Sequence, residues 1–190
     1  MKLKSLLVAA LTTAAVSANA QNAWIADTIT MANQGGTTFA NDIFYRMDQN
    51  GPRKAEPNDN WHIAFVAGAG GRSAAVLGNG AGAGVNVYAL SVAANAKFGT
   101  DLIADTAGKK STPLYNDITS WEAGAFNGDA TGHPNYGWGD YDMTTHNLTG
   151  NKVYLVTTPG GDYQVWIEEY VANAGPNMGW KFHVADIDGS

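Results

Sequence analysis

The 190-residue sequence contains no cysteine. Disulfides, thiolate metal sites and thiol nucleophiles are therefore excluded, and the core must hold the domain without covalent staples. Basic side chains are scarce: 11 Lys and Arg stand against 17 Asp and Glu, a formal charge of −6. Phosphate-backbone binding needs a basic patch, so nucleic acid is not an expected partner. Charged residues reach only 15% against 45% hydrophobic ones, which separates the chain from acidic disordered tails. Long apolar runs are missing too. Leu6 to Val16 is too short to span a membrane, and no later run approaches the required length.

That short run has the anatomy of a secretory signal. Lys2 and Lys4 precede it, and Ala18-Asn19-Ala20 follows it as a small-x-small cleavage site. Cleavage after Ala20 is expected, giving a secreted or periplasmic protein that begins at Gln21. Removing residues 1–20 takes away two lysines and leaves 9 basic against 17 acidic side chains, a net charge of −8. Residues 21–190 read as one domain.

What the sequence does have is glycine and aromatics: 23 Gly, 6 Trp and 8 Tyr, between short apolar runs. This composition predicts an all-β, antiparallel fold with long glycine-rich loops. Strands are expected at Ala23 to Met31, Asn41 to Met47, Trp61 to Val66 and Val85 to Val92. In the third, period two sets Trp61, Ile63 and Phe65 on one face and His62 and Ala64 on a less buried one. Asp48 to Asn60, with two prolines, reads as a surface loop, and Gly68 to Gly84 as tight turns. Gly80-Ala81-Gly82-Ala83-Gly84 lacks the Lys-Ser/Thr of a phosphate-binding loop. Ala93 to Ala107 has room for a short helix, and Glu122 to Gly139 is a long ordered loop. Lys152 to Thr158, Tyr163 to Tyr170 and Trp180 to Ile187 form a C-terminal three-stranded meander, turning first at Pro159-Gly160-Gly161-Asp162.

Catalytic motifs do not appear. No Gly-x-Ser-x-Gly elbow is present, and no enzyme activity is expected. Asp140 with Asp142, and Glu168 with Glu169, are carboxylate pairs of the kind glycosidases use, but acidic pairs are commoner as turn and edge charge. Asp140-x-Asp142 and Asp186-x-Asp188-Gly189 lack the spacing of a calcium loop. His62, His133, His146 and His183 lack zinc spacing. The stretch left is Tyr136 to Gly150. Within it Met143 and His146 stand three residues apart, flanked by Tyr136, Trp138 and Tyr141. Thioether and imidazole both serve as axial ligands to haem iron, and aromatic rings suit a porphyrin face.

Several motifs resemble those of the HmuY family of secreted bacterial haem-binding proteins. Trp61-His62-Ile63-Ala64-Phe65 is similar to that family's W-D-I-A-F strand. A glycine-rich segment, Gly78-Asn79-Gly80 to Gly84, follows it. Then come Trp121 to Asn127, Tyr136-Gly137-Trp138-Gly139-Asp140-Tyr141, and Gly150-Asn151-Lys152-Val153-Tyr154-Leu155-Val156-Thr157. Gly161-Asp162-Tyr163-Gln164-Val165-Trp166-Ile167 resembles the family's G-x-Y-x-K-x-x-I hairpin. Trp180 to Ser190 resembles its closing aromatic strand. The likeness extends from about Asn41 onward, by short scattered motifs. It implies an all-β fold whose loops grip haem with two axial His or Met side chains, and a role in haem capture with haem or a haem-carrying protein as partner. Met143 falls where one family ligand sits. The segment from Asp105 to Trp121, where the second is expected, holds neither His nor Met. His146 or His133 is left to complete the pair, with Tyr141 beside them. The competing reading is a non-catalytic surface module that binds glycan or protein through exposed aromatics, chiefly Trp121, Trp138 and Tyr141.

Overall fold

A computed structural model of the chain describes residues 61–66, 74–117, 123–172 and 179–190, and the backbone of segments 25–30, 43–46 and 51–53. The expected signal (residues 1–20) and Trp121 lie outside the described residues. The strands in chain order are β1 (Ile25–Thr30), β2 (Ile43–Arg46), β3 (Gly51–Arg53), β4 (Ile63–Phe65), β5 (Val76–Gly78), β6 (Asn86–Ala93), β7 (Asp140–Tyr141), β8 (Leu148–Thr149), β9 (Lys152–Thr158), β10 (Gly161–Val171) and β11 (Gly179–Asp186). Two one-turn helices intervene, α1 (Gly80–Ala83) and α2 (Ala94–Lys97). Among the described residues every strand pairing is antiparallel, and no helix is long and apolar enough to cross a membrane.

The expected meander forms as β9–β10–β11, and it is the spine of a seven-stranded sheet. Strand β10 is long enough to take two partners on one side. Its first half pairs β9, and Glu169 and Tyr170 pair Thr149 and Leu148 of β8. The chain passes from β8 to β9 at Gly150-Asn151, opposite a register shift between Ile167 and Glu169. One extra residue on a strand reverses the in–out alternation beyond it. Ile167 and Tyr170, three apart, therefore both enter the core, while Glu168 and Glu169 stay half-buried.

A four-stranded sheet, β3-β2-β4-β5, packs against the large one. Phe65 sits 5.1 Å from the Trp180 ring and 4.9 Å from Phe182, joining the two sheets in one apolar core. The opposite face of the large sheet is covered as well. Tyr88, Leu90, Val153 and Leu155 pack with Ala94 of α2 and Leu102. Gln164, fully buried, fastens that cover. It accepts from Gly99 N (2.8 Å) and donates to Thr100 O and Asp186 O (both 2.9 Å).

Three sequence readings change. The loop expected from Asp48 to Asn60 contains strand β3. The glycine-alanine run expected as tight turns carries α1, because the Asn79 side chain accepts from Gly82 N and caps the turn (2.8 Å). Trp61 stands before β4 and clusters with Ala64, Val66, Ala75 and Leu77, not with Ile63 and Phe65. Both faces of that strand are buried, so His62 is enclosed too.

Among the described residues no strand pairs the outer edge of β5; side-chain amides pair with it instead. Asn116 accepts from Gly78 N (3.1 Å) and donates to Gly78 O (2.8 Å). Asn127 accepts from Val76 N (3.0 Å) and donates to Ala74 O (3.2 Å), and Trp138 Nε1 also donates to Ala74 O (2.8 Å). Bare strand edges invite pairing with other chains, and amides that mimic a neighbouring backbone close this one.

Candidate functional site

Strands β7 and β8 form a hairpin at the end of the large sheet, with Tyr141 opposite Leu148 and Asp140 opposite Thr149. Its turn is built by Asp142. The carboxylate accepts from Thr144 N (2.6 Å) and Thr145 N (3.1 Å), and the Asp142 carbonyl accepts from His146 N (2.8 Å). Those backbone N–H groups hold the Asp142 carboxyl below its ordinary value. His146 closes the turn in the left-handed region, at φ 62°.

A second turn lies against the first. Asn135 organises it, accepting from Thr131 N (3.2 Å) and Gly137 N (3.1 Å) and donating to Asp140 (2.9 Å). Tyr141 N donates to Pro134 O (2.8 Å), which brings His133 beside the Tyr141 ring. The result is an aromatic group on the hairpin tip. His133 lies 5.2 Å from Tyr141 and 6.3 Å from Tyr136, and the His146 ring lies 5.8 Å from Tyr141. Tyr141 Oη is hydrogen-bonded to His146 Nδ1. The two tyrosines are half-buried against the core, whereas both histidines are exposed. Met143, at the apex of the turn, is 68% exposed.

Three of the four residues singled out by sequence, His133, Tyr141 and His146, thus converge, and Met143 stands exposed in the same turn. Trp138 does not join them. It is 1% exposed, packed 5.3 Å from Trp180 and tied to Ala74 O. The glycan-binding reading loses its main residue to the core. The Asp140–Asp142 pair is occupied in holding the two turns. Among the described residues no cluster of three or more His, Asp or Glu is arranged to hold a bare metal ion. Haem asks less of the protein, because the porphyrin supplies four ligands and side chains only the axial ones. The donor set fits that demand: one thioether, two imidazoles and one phenol, all of types that ligate haem iron. A cleft of about 430 Å³ lies elsewhere, lined by Gly78, Val85, Leu114, Tyr115 and their neighbours, with no histidine or methionine.

A second polar group escaped the sequence reading. On the covered face of the large sheet, His183 Nε2 is hydrogen-bonded to Glu168, which also accepts from Lys181 Nζ (2.6 Å). The His183 ring stacks on Trp166 at 4.5 Å and 17°. The register shift that displaces Glu168 onto this face is invisible to a period-two pattern. Burial pushes the Glu168 carboxyl up, but the hydrogen bonds and charges of Lys181 and His183 outweigh it, so it lies below its ordinary value of 4.5. A carboxyl depressed on folding adds stability above its ordinary pKa and loses it as pH falls through the folded value. Glu168→Gln is therefore expected to cost about 1 kcal/mol at neutral pH and to flatten the loss of Tm below about pH 4.5. Thermal melts of both proteins from neutral to acid pH check this.

No family model, curated protein or solved structure matches the chain.

Proposed function

We propose that the chain is a secreted, non-catalytic β module that binds haem on the β7–β8 hairpin tip, in the service of haem capture. The observation that carries this reading is the meeting of His133, Tyr141 and His146 beside exposed Met143, where two adjoining turns fold against each other. Met143, His146 and His133 would hold the iron, and the rings of Tyr136 and Tyr141 would lie against a porphyrin face. If bound, haem would supply an iron that accepts such donors. An exposed tip also suits transfer to or from a haem-carrying protein, since nothing has to open. The motif resemblance to the HmuY family supports the same reading.

Titration of the mature chain with ferric haem, followed by the Soret band, tests it. A saturable shift is expected. Met143→Leu and His146→Asn should each weaken binding about tenfold or more, since an axial donor or its immediate partner is removed. Asn tolerates the left-handed backbone at 146, so the fold should be kept. An unchanged haem spectrum over the whole titration would overturn the reading.

A further inference from the structure

We infer that the cleft beside Tyr115 is a binding site for a neutral sugar, separate from the hairpin tip and independent of haem. Three observations lead to it. First, Tyr115 is 71% exposed, and among the described residues its side chain makes no hydrogen bond or ring contact. Its backbone is nonetheless pinned on both sides. Leu114 N donates to Val87 O (2.8 Å). Asn116 accepts from Gly78 N (3.1 Å) and Ala125 N (2.9 Å) and donates to Gly78 O (2.8 Å). The segment thus bridges β5 and β6 and places an aromatic ring in water, where it adds nothing to the core. A tyrosine on so fixed a backbone loses little freedom when a ligand covers it.

Second, the cleft that Tyr115 lines has the size of a small-ligand site. Its volume of about 430 Å³ falls in the range of about 300–1,000 Å³ usual for such sites. Val85, Val87, Leu114 and Ala125 give it an apolar lining. Third, no side chain that lines it carries a charge. A phosphate, carboxylate or ammonium would lose hydration there without gaining a partner, so the ligand is neutral. The polar groups offered are amides. Among the described residues the exposed Asn86 side chain makes one weak hydrogen bond, to Gly84 O (3.5 Å), and Asn116 uses one of its two amide hydrogens. Amides both donate and accept, which matches a hydroxyl. A sugar ring carries hydroxyls at its rim and polarised C–H groups on its faces, and those C–H groups suit the negative face of an aromatic ring. A purely apolar ligand would cover the amides without matching them.

Amide NMR spectra of the labelled mature chain, titrated with cellobiose, lactose, maltose and N,N′-diacetylchitobiose, test the assignment. At least one of these sugars is expected to give saturable shifts centred on Gly78, Val87, Tyr115 and Asn116, with the hairpin tip unmoved. Tyr115→Ala removes an exposed ring, so its Tm should match wild type, and binding should weaken about fivefold or more. Ala81→Leu, at an exposed position of the lining, should narrow the cleft and weaken binding as well. The absence of saturable shifts with all four sugars overturns the inference, as does a Tyr115→Ala variant that binds like wild type. Saturation of the cleft by indole and by none of the sugars overturns the sugar assignment too. None of these outcomes bears on the haem titration, which reads a different set of residues.

Discussion

Gly150→Ala is expected to destabilise the protein by more than about 3 kcal/mol, because it forces an atom into space already filled by backbone. Gly150 ends the stretch that carries the hairpin tip and is the point where the chain steps from β8 to β9. A β-carbon there would stand 2.6 Å from Trp138 O and closer still to Ile167 O. Neither atom belongs to a side chain that can swing aside. The glycine cannot retreat either. Its N–H donates to Glu168 O (2.8 Å) and its carbonyl accepts from Trp166 Nε1 (2.8 Å). Relief would require opening the register shift that lets β10 serve both β8 and β9. The hairpin tip hangs on that junction, so the proposed haem binding should fall with stability. Urea denaturation checks the size of the effect; a midpoint within error of wild type would show that the junction has slack.

Asn127→Ala should cost nearly as much, about 3 kcal/mol, for a different reason. Asn127 is 6% exposed, and all of its side chain's hydrogen-bonding capacity is in use. The oxygen accepts from Val76 N (3.0 Å) and Gly124 N (3.2 Å). The nitrogen donates to Ala74 O (3.2 Å) and Tyr136 O (2.8 Å). Truncation strands three backbone groups, Val76 N, Gly124 N and Tyr136 O, while Ala74 O keeps Trp138 Nε1, and an unsatisfied buried group costs about 1–3 kcal/mol before any water enters. It also uncovers the outer edge of β5, so the variant should self-associate as it unfolds. Thermal melts with light scattering measure both. Asn127→Asp, which keeps the acceptor and loses the donor, should fall between wild type and Ala.

How far the sequence reveals this molecule depends on the range of the interaction concerned. The meander is legible because burial on one face imposes period two: Trp180, Phe182 and Val184 all enter the core. The turn at Pro159-Gly160 is local chemistry and falls where expected. The all-β class follows from the same signals. What the sequence hides is register and long-range amide bonding. Asn116 and Asn127 look like loop residues, yet they close a strand edge 38 and 51 positions away in the chain. Trp138, in an aromatic loop, looks like an exposed anchor but is drawn inward by Ala74 O, 64 positions away. Period two misplaced Trp61 because regular strand begins only at Ile63.

The candidate site shows the same division. Met143, His146 and Tyr141 were conspicuous by residue type, and the Asp142 turn that gathers them follows ordinary turn chemistry. His133 is brought in by a backbone bond from Tyr141 N to Pro134 O, which no spacing rule announces. The Glu168–His183 contact needs the register shift, and so it appears only in three dimensions.

Seating of haem on the hairpin tip is a proposal. Its most direct test is the amide NMR spectrum of the labelled mature chain as ferric haem is added. Paramagnetic iron broadens nearby signals, so the amides of His133, Tyr141, Met143 and His146 should fade first. Those of Gly78, Val87 and Leu114, around the separate cleft, should persist. Broadening centred on that cleft, or no broadening at any amide at saturating haem, would contradict the account.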